Sequence, residues 1–240
     1  MWFYYTYYAL GIVMIPGILL GIWAQTRVHS TFNEYNKIQT KHGKSAHQVA
    51  RFMLDGAGAI ETKIRPINGE LTDNYDPTSD TVSLSQSVYN ESTISAIGVT
   101  AHEIGHVLQH KQKYAPIKAR NILVPVMNIS SFFSWPMIIL GLILEATAYV
   151  TAATWLIYIG IGIYALNILL CLITLPIEIN ASKRAKKMLL ATAEMDTEEV
   201  KGVTKVLNAA AWTYVAALIT SVLSLLRLIL FVLMMRKGND

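Results

Sequence analysis

One cysteine, Cys171, is the only thiol in this chain. An intrachain disulfide is excluded, and so is a structural zinc site built on several thiolates. Cys171 stands in an apolar stretch and reads as a small packing residue. Charge is scarce too: Asp, Glu, Lys and Arg make up 15% of the 240 residues, against 53% hydrophobic residues and a mean hydropathy of +0.39. A soluble domain carries more charge than this. There is no arginine-rich, aromatic-interleaved patch, so the pI near 9.0 reflects topology rather than nucleic-acid binding. No inverted repeat is visible, which leaves a transporter or channel reading without its usual support.

What is present is apolar sequence in long blocks. The first runs from about Trp2 to Ala24, with no basic residue ahead of it and no small-x-small cleavage site. It is expected to be a retained transmembrane helix rather than a signal peptide. Trp2 and four early tyrosines suit an interfacial belt, and Pro16-Gly17 suits a kink. From Ile129 to Pro176 the chain is almost unbroken apolar sequence, too long for one span and fitting two of about 20 residues. The break is expected near Glu145–Tyr149, giving spans at 129–147 and 150–175, with a fourth at 212–235. Glu145 and Arg227 lie in or beside these spans, where a lone charge is costly. Either they pair in the outer half, or Glu145 sits in a turn and Arg227 snorkels.

Four spans place residues 25–128 and 176–211 on one side of the membrane. Arg27, Lys37, Lys41, Lys111, Lys113, Lys118, Arg120, Lys183, Arg184, Lys186 and Lys187 all fall there. The other side has Arg236 and Lys237. The positive-inside rule makes the polar side cytoplasmic. The organisation read from this is transmembrane helix 1 at 1–25, a polar portion at 26–128, transmembrane helices 2 and 3 at 129–175, a helical segment at 176–211, and transmembrane helix 4 with a short tail at 212–240. The fold class is a mainly α integral membrane protein, four transmembrane helices with a small α+β cytoplasmic portion.

Within the polar portion, Ala46, Val49, Ala50, Met53 and Ala57 recur at helical spacing, and Gly56 and Gly58 end that helix. Residues 61–67 read as a strand, 73–77 as an Asp-Pro turn and 81–85 as an alternating strand. A further helix follows, with Asn90 or Ser92 as its N-cap. A strand placed just before that helix could pair along its edge with an extended peptide, or could be half of a plain hairpin.

That helix holds the densest chemistry in the chain, His102-Glu103-Ile104-Gly105-His106. Residues four apart on a helix share a face, so both imidazoles can hold one Zn²⁺. Glu103 stands where its carboxylate can reach a water on that ion, the HExxH arrangement of a zinc hydrolase. A catalytic zinc needs three protein ligands and one open position. His110 does not qualify, because eight residues of helix rise about 12 Å while each Zn–N bond is about 2.1 Å. It reads as a face residue or a proton shuttle. His29, His42 and His47 read as surface or core histidines. Glu178, in LPIEINASKRA where the third span ends, is the better candidate. Pro176 can start a helix there, with Glu178, Ala181, Ser182 and Ala185 on one face. Either Glu178 is the third ligand or it caps a helix at the membrane interface; the HExxH favours the ligand.

HEIGHVLQ, the upstream LTDNYDPTSDTVSLS, LPIEINASKRA and the late AAWTYVAAL together resemble the YugP-type family of bacterial membrane zinc metallopeptidases, relatives of the gluzincins. The resemblance spans nearly the whole chain. It implies His102, His106 and Glu178 as zinc ligands and Glu103 as general base, makes residues 26–128 a zincin-like metallopeptidase portion with the HExxH helix, and implies a bacterial plasma membrane. Two positions depart from it: His is expected where Asn74 stands, and often Asp where Asn180 stands. A carboxylate that would orient a ligand histidine is then missing, and Asn180 or Ser182 would do so through a neutral hydrogen bond.

The expected reaction is peptide-bond hydrolysis on protein or peptide substrates, membrane proteins foremost, at the cytoplasmic surface. Arg184 and Tyr75 are candidate donors to the oxyanion, against surface charge and turn packing. A competing class is a zinc-binding membrane scaffold without proteolytic activity. The lipid bilayer is a partner by construction, and a homo-oligomer or a regulatory membrane partner would be compatible.

Overall fold

A computed structural model describes residues 8–145 and 150–237. The belt expected before residue 8 and the break expected over 146–149 lie outside the described residues. A 3₁₀ turn, Leu10–Met14, leads into α1, Ile15–Tyr35. Then come α2 (Ala46–Gly56), β1 (Lys63–Ile67), β2 (Asn74–Asp76), β3 (Thr81–Ser85), α3 (Gln86–Tyr89) and α4 (Ile94–Lys111). Three long helices follow: α5 (Ala115–Glu145), α6 (Val150–Ala191) and α7 (Thr197–Lys237).

The chain divides into two compact units. One comprises residues up to Trp23, Ala119–Thr174, and the chain from Tyr214; the other comprises Ala24–Lys118 and Leu175–Thr213.

The first unit takes in the most apolar stretches of the long helices. Leu10–Tyr35, Thr151–Ala191 and Thr197–Met235 are helices long and apolar enough to cross a membrane. In α5, the segments Ala115–Ser130 and Phe132–Glu145 are inclined by 44°, and count as a fourth only if taken as one bent span. A proline ring meets the carbonyl four residues before it, so Pro136 acts near Phe132, where the bend falls. Glycines let α5 and α6 approach closely. A Cβ on Gly141 would lie 2.6 Å from Ile157, and one on Gly160 2.6 Å from Ile138. Glu145 accepts a hydrogen bond from the Thr154 hydroxyl at 3.3 Å. Arg227 borders a cavity of about 40 Å³ with Trp135, Tyr164 and Ser224.

The second unit carries the sheet, in the order β1-β3-β2. β3 pairs parallel with β1 (Lys63 opposite Thr81) and antiparallel with β2 (Asn74 opposite Ser83). The central strand β3 is buried along its whole length. Its Val82 and Leu84 join Met53 and Leu54 of α2, Ile97 and Ile104 of α4, Leu189 of α6 and Val203 of α7 in one core. Burial of such side chains stabilises by about 1.5–3 kcal/mol each.

Several local expectations need correction. The Asp73–Pro77 turn is in part strand, since residues 74–76 pair with β3; the pairing is tertiary and leaves no alternating pattern in three residues. The first strand starts at Lys63 rather than residue 61. The cap of α4 is Thr93, whose hydroxyl accepts from Ala96 N–H at 3.2 Å, and not Asn90 or Ser92. Pro176 starts no new helix; α6 runs through it. Losing one N–H does not break a helix that is held by packing on both sides of the proline.

Candidate metal centre

α4 and α6 bring three side chains to one point. One ligand atom from each of His102, His106 and Glu178 lies within 4.8 Å of the other two. His102 Nε2 is 3.1 Å from Glu178 Oε2, His106 Nε2 is 3.4 Å from it, and the two Nε2 atoms are 3.2 Å apart. Three donors held at about 2.1 Å by a tetrahedral Zn²⁺ stand about 3.4 Å from one another. The spacing fits that ion. Among the described residues this is the cluster of His, Cys, Asp and Glu able to hold a metal.

The close approach has a backbone cause. Gly105 stands between the two histidines, and a Cβ there would lie 2.4 Å from the carbonyl oxygen of Ala181. Ala181 lies on the same buried face of α6 as Glu178 and Ala185. Glycine on one helix against alanine on the other lets the carboxylate reach the imidazoles.

Hydrogen bonds behind the cluster fix both rings. Gln109 is fully buried. Its Nε2 donates to Ile177 O at 2.8 Å and to Asn180 Oδ1 at 2.9 Å. Oε1 therefore faces His106 Nδ1, 3.0 Å away, and must accept the ring's proton. That leaves the His106 Nε2 lone pair aimed at the cluster. The His102 Nδ1 lies 3.1 Å from the Ser182 hydroxyl. Of the two neutral groups expected to orient a histidine, Ser182 touches one directly, and Asn180 reaches His106 through Gln109. Sequence reasoning missed Gln109; its signal was an amide three residues after a ligand, on the same helix.

Glu103 is 8% exposed. Burial pushes its carboxyl upward, while the neighbouring imidazoles pull it back. Asp73 also acts on it, and is itself pushed up by burial although it accepts from Ser85 N–H at 2.7 Å.

The remaining candidates are engaged elsewhere. The Arg184 guanidinium donates to Asn180 Oδ1 at 2.7 Å and to Gln112, and sits over the Tyr114 ring. The Tyr75 hydroxyl donates to Asp80 at 3.0 Å. Burial and that bond raise the phenol well above its ordinary range. His110 is exposed, with its ring centre 6.1 Å from that of Tyr75 at a steep interplanar angle. His47 stacks on Tyr89 and shares a hydrogen bond with the Tyr89 carbonyl, a packing role.

Comparison with known proteins agrees with the geometry. A family model described as "putative neutral zinc metallopeptidase" matches residues 10–233. A protein of Bacillus subtilis (strain 168), described as "putative membrane protease YugP", is 40% identical over 226 residues, which cover 94% of this chain and 96% of the relative. No solved structure matches.

Proposed function

The chain belongs to that zinc metallopeptidase family, and from this premise we propose that it is a zinc-dependent endopeptidase embedded in the membrane. The observation that carries the reading is the convergence of His102, His106 and Glu178 at the edge lengths of a zinc tetrahedron. These three hold the ion, as ligands of the gluzincin type. With zinc bound, the site gains Lewis-acid polarisation of a scissile carbonyl and a more acidic attacking water.

The chain's own residues do the rest. Glu103 takes the proton of the attacking water and delivers it to the leaving amine. Its burial supports this role, since a desolvated carboxyl holds a proton more readily than an exposed one. Gln109 and Ser182 hold the two rings in the tautomer that ligation needs. Arg184 and Tyr75 contribute to the oxyanion only if substrate draws them from their present partners; Arg184 is the better placed of the two, on the helix of Glu178. The strand just before α4, expected to offer its edge to substrate or to form half of a hairpin, is β3, which is central and paired on both sides. The substrate's extended backbone pairs instead with an outer edge of the sheet, on β1 or β2.

We place this portion, residues 26–128 with 176–211, at the cytoplasmic surface of a four-span protein in the plasma membrane. Its substrates are then membrane or membrane-proximal proteins, and self-association or a regulatory membrane partner would act from the apolar unit.

Glu103→Gln tests the reading. The variant is expected to keep its zinc while proteolysis of an unfolded protein falls by at least about 10²-fold. Undiminished cleavage removes Glu103 as the base. Zinc retention with no cleavage by the wild-type chain favours the scaffold reading instead.

A further inference from the structure

Two helix faces in the metal-binding unit meet across polar residues. Arg27, Thr31 and Glu34 recur on α1 at the spacing of one face, as do Lys205, Asn208 and Trp212 on α7. Together they border a cavity of about 480 Å³, within the range of small-ligand sites. Helices that pack closely close their shared face with apolar side chains. Phe32 and Val206, on the same two helices, do this and join the core. The polar stripe is left open beside them.

The lining has the chemistry of an anion site. It offers the Arg27 guanidinium, the Lys205 ammonium, the hydroxyls of Ser30, Thr31 and Tyr35 and the Asn208 amide, against one carboxylate, Glu34. Lys205 Nζ stands 5.6 Å from the centre of the Tyr35 ring, an aromatic contact that holds it at the cavity. The location is equally specific. Arg27 comes just after the first apolar block ends, and Trp212 comes just where the last begins. Tryptophan and basic residues at such points lie at headgroup level. Basic pockets between membrane helices bind anionic headgroups there.

We propose that this cavity binds a phosphate group carried by an anionic phospholipid headgroup. Two cations against one carboxylate match the single charge of a phosphodiester better than the double charge of free phosphate. The inference is independent of the metal centre, since none of these residues takes part in it.

The test uses the full-length, zinc-replete protein in detergent, followed by native mass spectrometry and thermal unfolding. The probes are phosphatidylglycerol, phosphatidylcholine and inorganic phosphate. Phosphatidylglycerol is expected to bind and raise the midpoint, with phosphatidylcholine and millimolar phosphate doing neither. Lys205→Gln and Arg27→Gln should each weaken phosphatidylglycerol about fivefold, with zinc content unchanged. Asn208→Leu removes a neutral donor without touching charge, and should weaken it less. If inorganic phosphate acts as strongly as phosphatidylglycerol, the lipid source is overturned and the anion site stands. Equal binding of the two lipids, or phosphatidylglycerol binding untouched by all three substitutions, overturns the site.

Discussion

Gln109 makes three hydrogen bonds with one amide, and they join the two helices that supply the ligands. Its carbonyl end fixes a ring on α4; its amino end grips the α6 backbone one residue from Glu178 and the side chain two residues from it. Removing the amide takes a donor from the Ile177 carbonyl and from Asn180, and frees the His106 ring. Gln109→Ala should weaken zinc about 10–100-fold, measured by competition with a chelator. Gln109→Glu should be no better, because its carboxylate faces two carbonyl oxygens. Unchanged zinc affinity in both would reduce Gln109 to packing. At this scale the sequence was legible where helix geometry decides: His102 and His106 follow from a spacing of four. Glu178 was legible from its charge at the end of an apolar block. Gln109 was not, since the roles of an amide depend on what faces it from another helix. The oxyanion candidates Arg184 and Tyr75 were read from side-chain type alone; in this structure Arg184 Nε and Nη1 donate to Asn180 and Gln112, and the Tyr75 hydroxyl donates to Asp80.

The elements are joined by contacts between backbones. Gly105 and Ala181 set the separation of α4 and α6, so Gly105→Ala must move one helix. Overpacking of this kind costs about 1–3 kcal/mol. Because the shift falls between the ligands, zinc affinity should drop together with the melting temperature. Gly56→Ala is the control: its Cβ meets nothing within 4 Å, and both readings should hold. Thr93→Ala should cost about 1 kcal/mol in thermal or denaturant unfolding through loss of the α4 cap. Among the elements, the strand at Thr81–Ser85 and the helix beginning at Ala46 were readable from alternation and from helical spacing. β2 was not, because three residues carry no period and their partner strand decides. Neither was the continuity of α6 through Pro176, since a local rule for proline does not include the packing on either side.

For the whole molecule, composition was enough to read a membrane protein with a separate polar portion. Residues 24–118 and 175–213 form one compact unit. Side and span number rest on basic residues and apolar length, and labelling can test them. In a Cys171→Ala background, single cysteines at Lys113 and Lys187 should react with a membrane-impermeant thiol reagent only after cells are opened. A cysteine at Glu145 should react in intact cells. The reverse pattern would turn the protein over.

Everything proposed for the site depends on one ion held by two imidazoles and one carboxylate. Zinc-edge X-ray absorption on the purified full-length chain reads this directly. The account predicts about one zinc per chain in a shell of nitrogen and oxygen at about 2.0–2.1 Å, with scattering from two imidazole rings and a weakened shell in Glu178→Gln. A sulfur shell from Cys171, a spectrum unaffected by Glu178→Gln, or no zinc after repletion would contradict it.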